Sequence, residues 1–138
     1  MASDFEILRN AGNTCIHATG TTIEDLFANA AKGVMSVIKP DYGTLRPDPQ
    51  RTRTFTTDAL DRETLLVEFL SELLASIDTK NELYPMLTIT ELHERRLVAE
   101  ATGATIDTVD VEANAVTCSD LTIAETAEGY ETTITLDV

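Results

Sequence analysis

Asp61-Arg62-Glu63-Thr64-Leu65-Leu66-Val67-Glu68-Phe69-Leu70-Ser71-Glu72-Leu73-Leu74-Ala75-Ser76-Ile77 is the stretch that decides the fold. Leu65, Leu66, Phe69, Leu70, Leu73, Leu74 and Ile77 recur at the spacing of one broad helical face, which predicts a helix over 61–77. Asp61 stands where its side chain can cap the first turn. A stripe this broad places the helix at the centre of the core.

Upstream, 4–8 reads as a short strand, followed by the turn-prone run Asn10-Ala11-Gly12-Asn13. Residues 13–19 alternate: Asn13, Cys15, His17 and Thr19 share one face, and Thr14, Ile16 and Ala18 the other, with Ile16 and Ala18 toward the core. Gly20-Thr21-Thr22-Ile23-Glu24 opens a first helix, in which Thr21 and Glu24 fit a capping box. Ile23, Leu26, Phe27, Ala30, Ala31, Val34 and Ile38 give it an apolar face, and Pro40 ends it. Gly33 within that helix costs about 1 kcal/mol against alanine and so points to close packing. Residues 41–50 carry Gly43, Pro47 and Pro49 and read as a loop, and Thr-rich 51–57 reads as a strand at a sheet edge.

Downstream the chain turns β-rich. Residues 86–92 and 97–102 form a predicted hairpin turning near Glu94-Arg95; predicted strands follow at 108–117, 121–124 and 130–136, with a turn at Glu128-Gly129. The order β-β-α-β-α and then a run of strands predicts an α+β fold, a mainly antiparallel sheet with two helices packed on it. With 138 residues and no repeat or linker, residues 1–138 are expected to form a single domain.

The formal net charge of −14 argues against direct binding to a nucleic-acid backbone or an anionic membrane. It suits a basic protein partner or a cation. No apolar run approaches the roughly 20 residues of a membrane span, and the first residues lack a basic flank and a long apolar stretch, so the expected location is the cytoplasm. Cys15 and Cys118 are too far apart in sequence for a Cys-x-x-Cys pair and are expected as thiols.

No nucleophile elbow, P-loop, dinucleotide fingerprint or zincin helix is present. His93 falls near a predicted hairpin tip, on the surface. Cys15-x-His17 presents two zinc-type ligands on one strand face, with Cys118 a conceivable third and no evident fourth. The final residues offer another constellation. Asp137 brings a carboxylate and Val138 a terminal one, with the Asn13 amide oxygen available if the strands are adjacent; such oxygen donors suit Ca²⁺ or Mg²⁺.

At these residues the chain resembles the archease family. The likeness is carried by Gly20-Thr21-Thr22-Ile23-Glu24-Asp25-Leu26-Phe27-Ala28-Asn29-Ala30-Ala31 and by residues 65–74. It continues through Asp78-Thr79, Ala115-Val116-Thr117 and Leu136-Asp137-Val138. The resemblance implies a small α+β protein that is not an enzyme. It would act as a protein cofactor of an RNA-splicing ligase, a tRNA-processing activity, by promoting guanylylation and turnover of that ligase. It also implies a divalent-cation site of Asn13, Asp137 and Val138. The site departs from the family pattern: Asn13 replaces an aspartate, Asn10 and Ser119 replace histidines, and Asn114 replaces a lysine. Asn can coordinate but cannot neutralise a cation, so weaker binding is expected. The alternative implied by those losses is an interaction or chaperone-like module that no longer assists the ligase. A metal-dependent enzyme would need a convergent acid, base and ion that the sequence does not supply.

Overall fold

The computed structural model describes residues 5–10, 13–109, 112–113, 115–117 and 121–137. In chain order the elements are β1 (Phe5–Asn10), β2 (Asn13–Gly20), α1 (Ile23–Ile38), β3 (Thr52–Asp58) and α2 (Arg62–Lys80). Then come β4 (Glu82–Leu92), β5 (Arg96–Thr105), β6 (Ala115–Thr117), β7 (Ala124–Thr126) and β8 (Gly129–Asp137). Two short 3₁₀ turns, Tyr42–Thr44 and Pro49–Arg51, occupy the predicted loop.

All strand pairs are antiparallel, as expected, and they divide into two sheets. The first runs β1-β2-β8-β6, with β7 also on β8; the second runs β3-β5-β4, which leaves β3 at an edge. Strand β8 is thus shared by β2 on one side and by β6 and β7 in succession on the other. Helix α1 packs on β1, β2 and β8 and touches β4, while α2 packs on β3, β4, β5 and β6. One apolar cluster joins both helices to both sheets. The α2 stripe lies inside it: Leu65, Leu66, Phe69, Leu70 and Leu73 have no exposed surface. Phe55 of β3 seats edge-on against Phe69 of α2 and Tyr84 of β4, with ring centroids 6.4 and 5.6 Å apart.

Several local expectations hold for the physical reasons given. Ile16 and Ala18 are buried, Asp61 accepts a hydrogen bond from Thr64 N, and Lys39 before Pro40 is extended. A Cβ on Gly33 would come 2.5 Å from Ile16 Cγ2, so α1 approaches β2 more closely there than any other residue allows. Gly129 has φ +142° and its would-be Cβ falls 2.2 Å from Gly20 O, which fixes glycine at the β7–β8 turn.

Other expectations change. Thr22, not Thr21, caps α1, and it accepts from Asp25 N at 3.1 Å. Of the predicted strand 108–117, the described residues 108–109 and 112–113 are not strand and Ala115–Thr117 is, while 110, 111 and 114 lie outside the described residues; the predicted strand 121–124 moves to Ala124–Thr126. Ala115–Thr117 is the part that pairs with β8, from Asp137 back to Thr135.

Candidate functional site

The predicted cation ligands fall at one end of the first sheet. Thr14 pairs with Leu136, so Asn13, which opens β2, and Asp137, which closes β8, are the next positions on facing strands. On the same row Asn10 pairs with Asn13, and Ala115 pairs with Asp137. Because Thr132, Ile134 and Leu136 are buried under the helices, the alternation of β8 turns Asp137 outward, where it is exposed. The side chains of Asn10 and Asn13 lie outside the described residues, as do Val138, Asn114 and Ser119 altogether. Strand adjacency, the condition set for Asn13, is therefore met at the backbone. Among the described residues, no group of three or more His, Cys, Asp or Glu side chains converges to hold a metal.

Cys15 and His17 do share the outward face of β2, but each already has a neighbour on β8. Cys15 Sγ lies 3.7 Å from Thr135 Oγ1. His17 Nδ1 lies 3.0 Å from Thr133 Oγ1, and its Nε2 lies 3.5 Å from Glu131. Both imidazole nitrogens are engaged, and Cys118 lies outside the described residues, so zinc gains no support. His93 sits at the β4–β5 hairpin, exposed, 2.9 Å from Glu91.

Two features escape sequence reasoning. The first is Glu82, at the start of β4, whose side chain has 0% exposure. Oε1 accepts from Arg53 Nε at 2.8 Å and from Tyr84 OH at 3.0 Å. Oε2 accepts from Arg51 Nη1 at 3.3 Å and from Arg53 Nη2 at 3.5 Å. Ser76 of α2 bonds the Tyr84 hydroxyl in turn. Burial pushes the Glu82 carboxyl up, but the hydrogen bonds from Arg53, Tyr84 and Arg51 outweigh it and hold the group below its ordinary range. The bond to Glu82 raises Arg53, and burial raises Tyr84 to about 12. Arg51 closes the second 3₁₀ turn of the loop and Arg53 is in β3, so the cluster fastens loop, second sheet and α2 together. Its members are 29 and 31 residues apart, beyond any local pattern.

The second feature is a cleft of about 700 Å³ at the opposite end of the first sheet, between α1 and the β7–β8 hairpin. Its lining includes Asp25, Asn29, Lys32, Glu128, Tyr130 and Glu131.

Comparison with known proteins agrees with this architecture. The family model of the archease protein family matches residues 5–138. A protein archease of Methanosarcina barkeri is 28% identical over 142 residues, covering 97% of this chain and 95% of its own. One from Methanosarcina acetivorans matches to the same extent. Among solved structures, the solution structure of Methanobacterium thermoautotrophicum protein 1598 superposes with TM-score 0.79 at 25% identity, covering 98% of this chain and 99% of that one. The crystal structure of a Thermotoga maritima archease, described as a possible chaperone, gives TM-score 0.67 over 95% of this chain and 94% of its own; at 13% identity it speaks to the fold alone. With two helices on antiparallel sheets and a family match across nearly all of its length, the chain belongs to the archease family.

Proposed function

We propose that this archease acts as a non-catalytic protein cofactor of an RNA-splicing ligase, promoting its guanylylation and turnover. Family membership over residues 5–138 is the observation that carries the reading. The formal charge of −14 supports a basic protein surface as the partner rather than RNA itself. Among the described residues, no helix is long and apolar enough to cross a membrane.

The contact we propose is the row at the end of the first sheet, with a divalent cation held by Asp137, Asn13 and Val138. The backbone register of β2 and β8 supports the first two as neighbours. Oxygen donors of this kind suit Ca²⁺ or Mg²⁺, and a set with one side-chain carboxylate suits weak binding. A bound ion would supply positive charge at the contact; the protein's part is to hold oxygen ligands at the open end of a rigid strand pair.

The depleted set favours one competing reading, a chaperone-like interaction module. Asn13, Asn10, Asn114 and Ser119 stand where the resemblance implies charged or basic groups. The two readings separate in one assay: guanylylation of the same organism's ligase at limiting GTP and divalent metal, with and without this protein. Faster loading at substoichiometric protein, lost on Asp137→Asn, supports the cofactor. An active ligase indifferent to the protein moves the interaction module to the front.

A further inference from the structure

We propose that ionic strength gates closure of the first sheet. The C-terminal segment from β6 to β8 docks firmly only where monovalent salt screens its charge, and it loosens in dilute buffer while the second sheet and α2 hold. The inference is independent of the ligase reading.

Charge is divided unevenly along the chain. All ten Lys and Arg residues lie within 1–96, whereas 106–138, everything after β5, carry eight Asp and Glu and no Lys or Arg. A segment of formal charge −8 therefore folds onto a remainder of −6, which together make the −14 of the chain. The two sheets differ accordingly. The second is tied by guanidinium–carboxylate pairs, Arg53 to Glu82 at 2.8 Å, Arg51 to Glu82 at 3.3 Å and Arg96 to Asp58 at 3.6 Å. In the strands of the first, Arg9 is the one Lys or Arg, and its side chain lies outside the described residues. The pair described there joins His17 to Glu131 at 3.5 Å, both partly exposed.

The turn of the β7–β8 hairpin adds to the crowding. Gly129 packs against Gly20 and Thr21, and Gly20 against Asp25 and Leu26, so Glu128 comes beside the acidic first turn of α1, with its Glu24 and Asp25. Among the described residues, Lys32 is the one Lys or Arg lining the cleft between them. Against this repulsion β8 brings few apolar anchors. Its buried positions are Thr132, Ile134 and Leu136, so two fully buried apolar side chains hold it to the core, where α2 commits Leu65, Leu66, Phe69, Leu70 and Leu73.

Screening decides the balance by length. Neighbouring strands lie about 4.8 Å apart, and the Debye length is about 10 Å at 0.1 M salt and about 3 Å at 1 M. Repulsion therefore reaches across two strands in dilute buffer and across less than one in molar salt. Self-repulsion of this kind opposes the compact state, and it acts most on the segment that has no cations of its own.

The test follows amide hydrogen exchange of the full chain in EDTA at about 0.05, 0.3 and 2 M KCl. Amides of Thr132–Leu136 and Cys15–Ala18 are expected to gain about a hundredfold in protection from the lowest salt to the highest, and those of Leu97–Ala101 in β5 less than about threefold. Choline chloride reproduces the gain, since screening needs no particular cation. Glu125→Gln with Glu128→Gln raises β8 protection about tenfold in dilute buffer, whereas Glu68→Gln with Glu94→Gln, which removes the same charge from other exposed positions, changes it less than about twofold. Protection of β8 indifferent to salt, or gained equally by β5, overturns the gate. Two variant pairs of equal effect overturn its placement in the C-terminal segment. A gain that potassium gives and choline does not overturns screening as its cause.

Discussion

Replacing Glu82 by glutamine removes one charge and almost no volume from a side chain with no solvent exposure. In the native protein its two oxygens accept four hydrogen bonds, three from guanidinium groups and one from Tyr84. Glutamine keeps one acceptor oxygen and turns an NH₂ toward donors, so at least one guanidinium contact becomes donor against donor. Breaking a buried ion pair costs about 3–5 kcal/mol. Arg51 and Arg53 retain 37% and 34% side-chain exposure and can recover some water, which brings the expected loss to about 2–4 kcal/mol. With a urea slope of about 1.5–2 kcal/mol per molar, the unfolding midpoint falls by roughly 1–2 M. The effect has a pH signature as well. The folded carboxyl titrates below its unfolded value, so its contribution is fully present above about pH 4.3 and fades as pH falls through the lower folded value. The gap between wild type and Glu82→Gln therefore narrows in acid. Urea melts at pH 7 and pH 3 measure both effects. An unchanged midpoint at pH 7, or a gap that widens in acid, would refute the account of Glu82 as a paired carboxylate fastening two sheets and a helix.

Gly33→Ala gains about 1 kcal/mol of helix propensity but drives a methyl to 2.5 Å from Ile16 Cγ2, and overpacking costs about 1–3 kcal/mol. A net loss is expected in urea melts, and a stabilised variant would show that α1 can lift off β2 freely. Thr22→Ala removes the cap on Asp25 N and lowers stability by about 1 kcal/mol, whereas Thr21→Ala stays within about 0.5 kcal/mol; thermal melts of the pair tell the two caps apart. Asp137→Asn removes the one described carboxylate of the proposed cation row, and calorimetric titration with Ca²⁺ should show at least a tenfold weaker site with unchanged melting in chelator.

The helices were legible because their apolar positions repeat over sixteen and nineteen residues, long enough for periodicity to outweigh local noise. The inward face of β2 was legible from Ile16 and Ala18 alone, and the β4–β5 hairpin from its charged turn. Residues 108–117 alternate as a strand does, but alternation says nothing about whether a neighbour is available, and among the described residues of that span only Ala115–Thr117 has a strand partner. Asn13 and Asp137 were brought together by family likeness, and the register then made them neighbours at the backbone. Glu82 gave no signal, since a lone glutamate after a helix reads as surface until distant Arg51 and Arg53 are seen around it. The cleft was hidden for the same reason, because α1 and the β7–β8 hairpin meet only in the fold.

The placement of β8 sets an order of events during synthesis. Its contacts with β2 join residues such as Cys15 and Thr135, which are 120 positions apart, and every other described element precedes it in the chain. Until it emerges, β2, β6 and β7 each lack the neighbour that β8 supplies, while both helices and the second sheet can already assemble. A nascent or truncated chain stopping before residue 129 would carry the open edge of β2, the kind of surface on which unfinished chains aggregate. Such a chain is a natural client for chaperones and proteases, so lesions in this late strand should show first as low abundance in the cell.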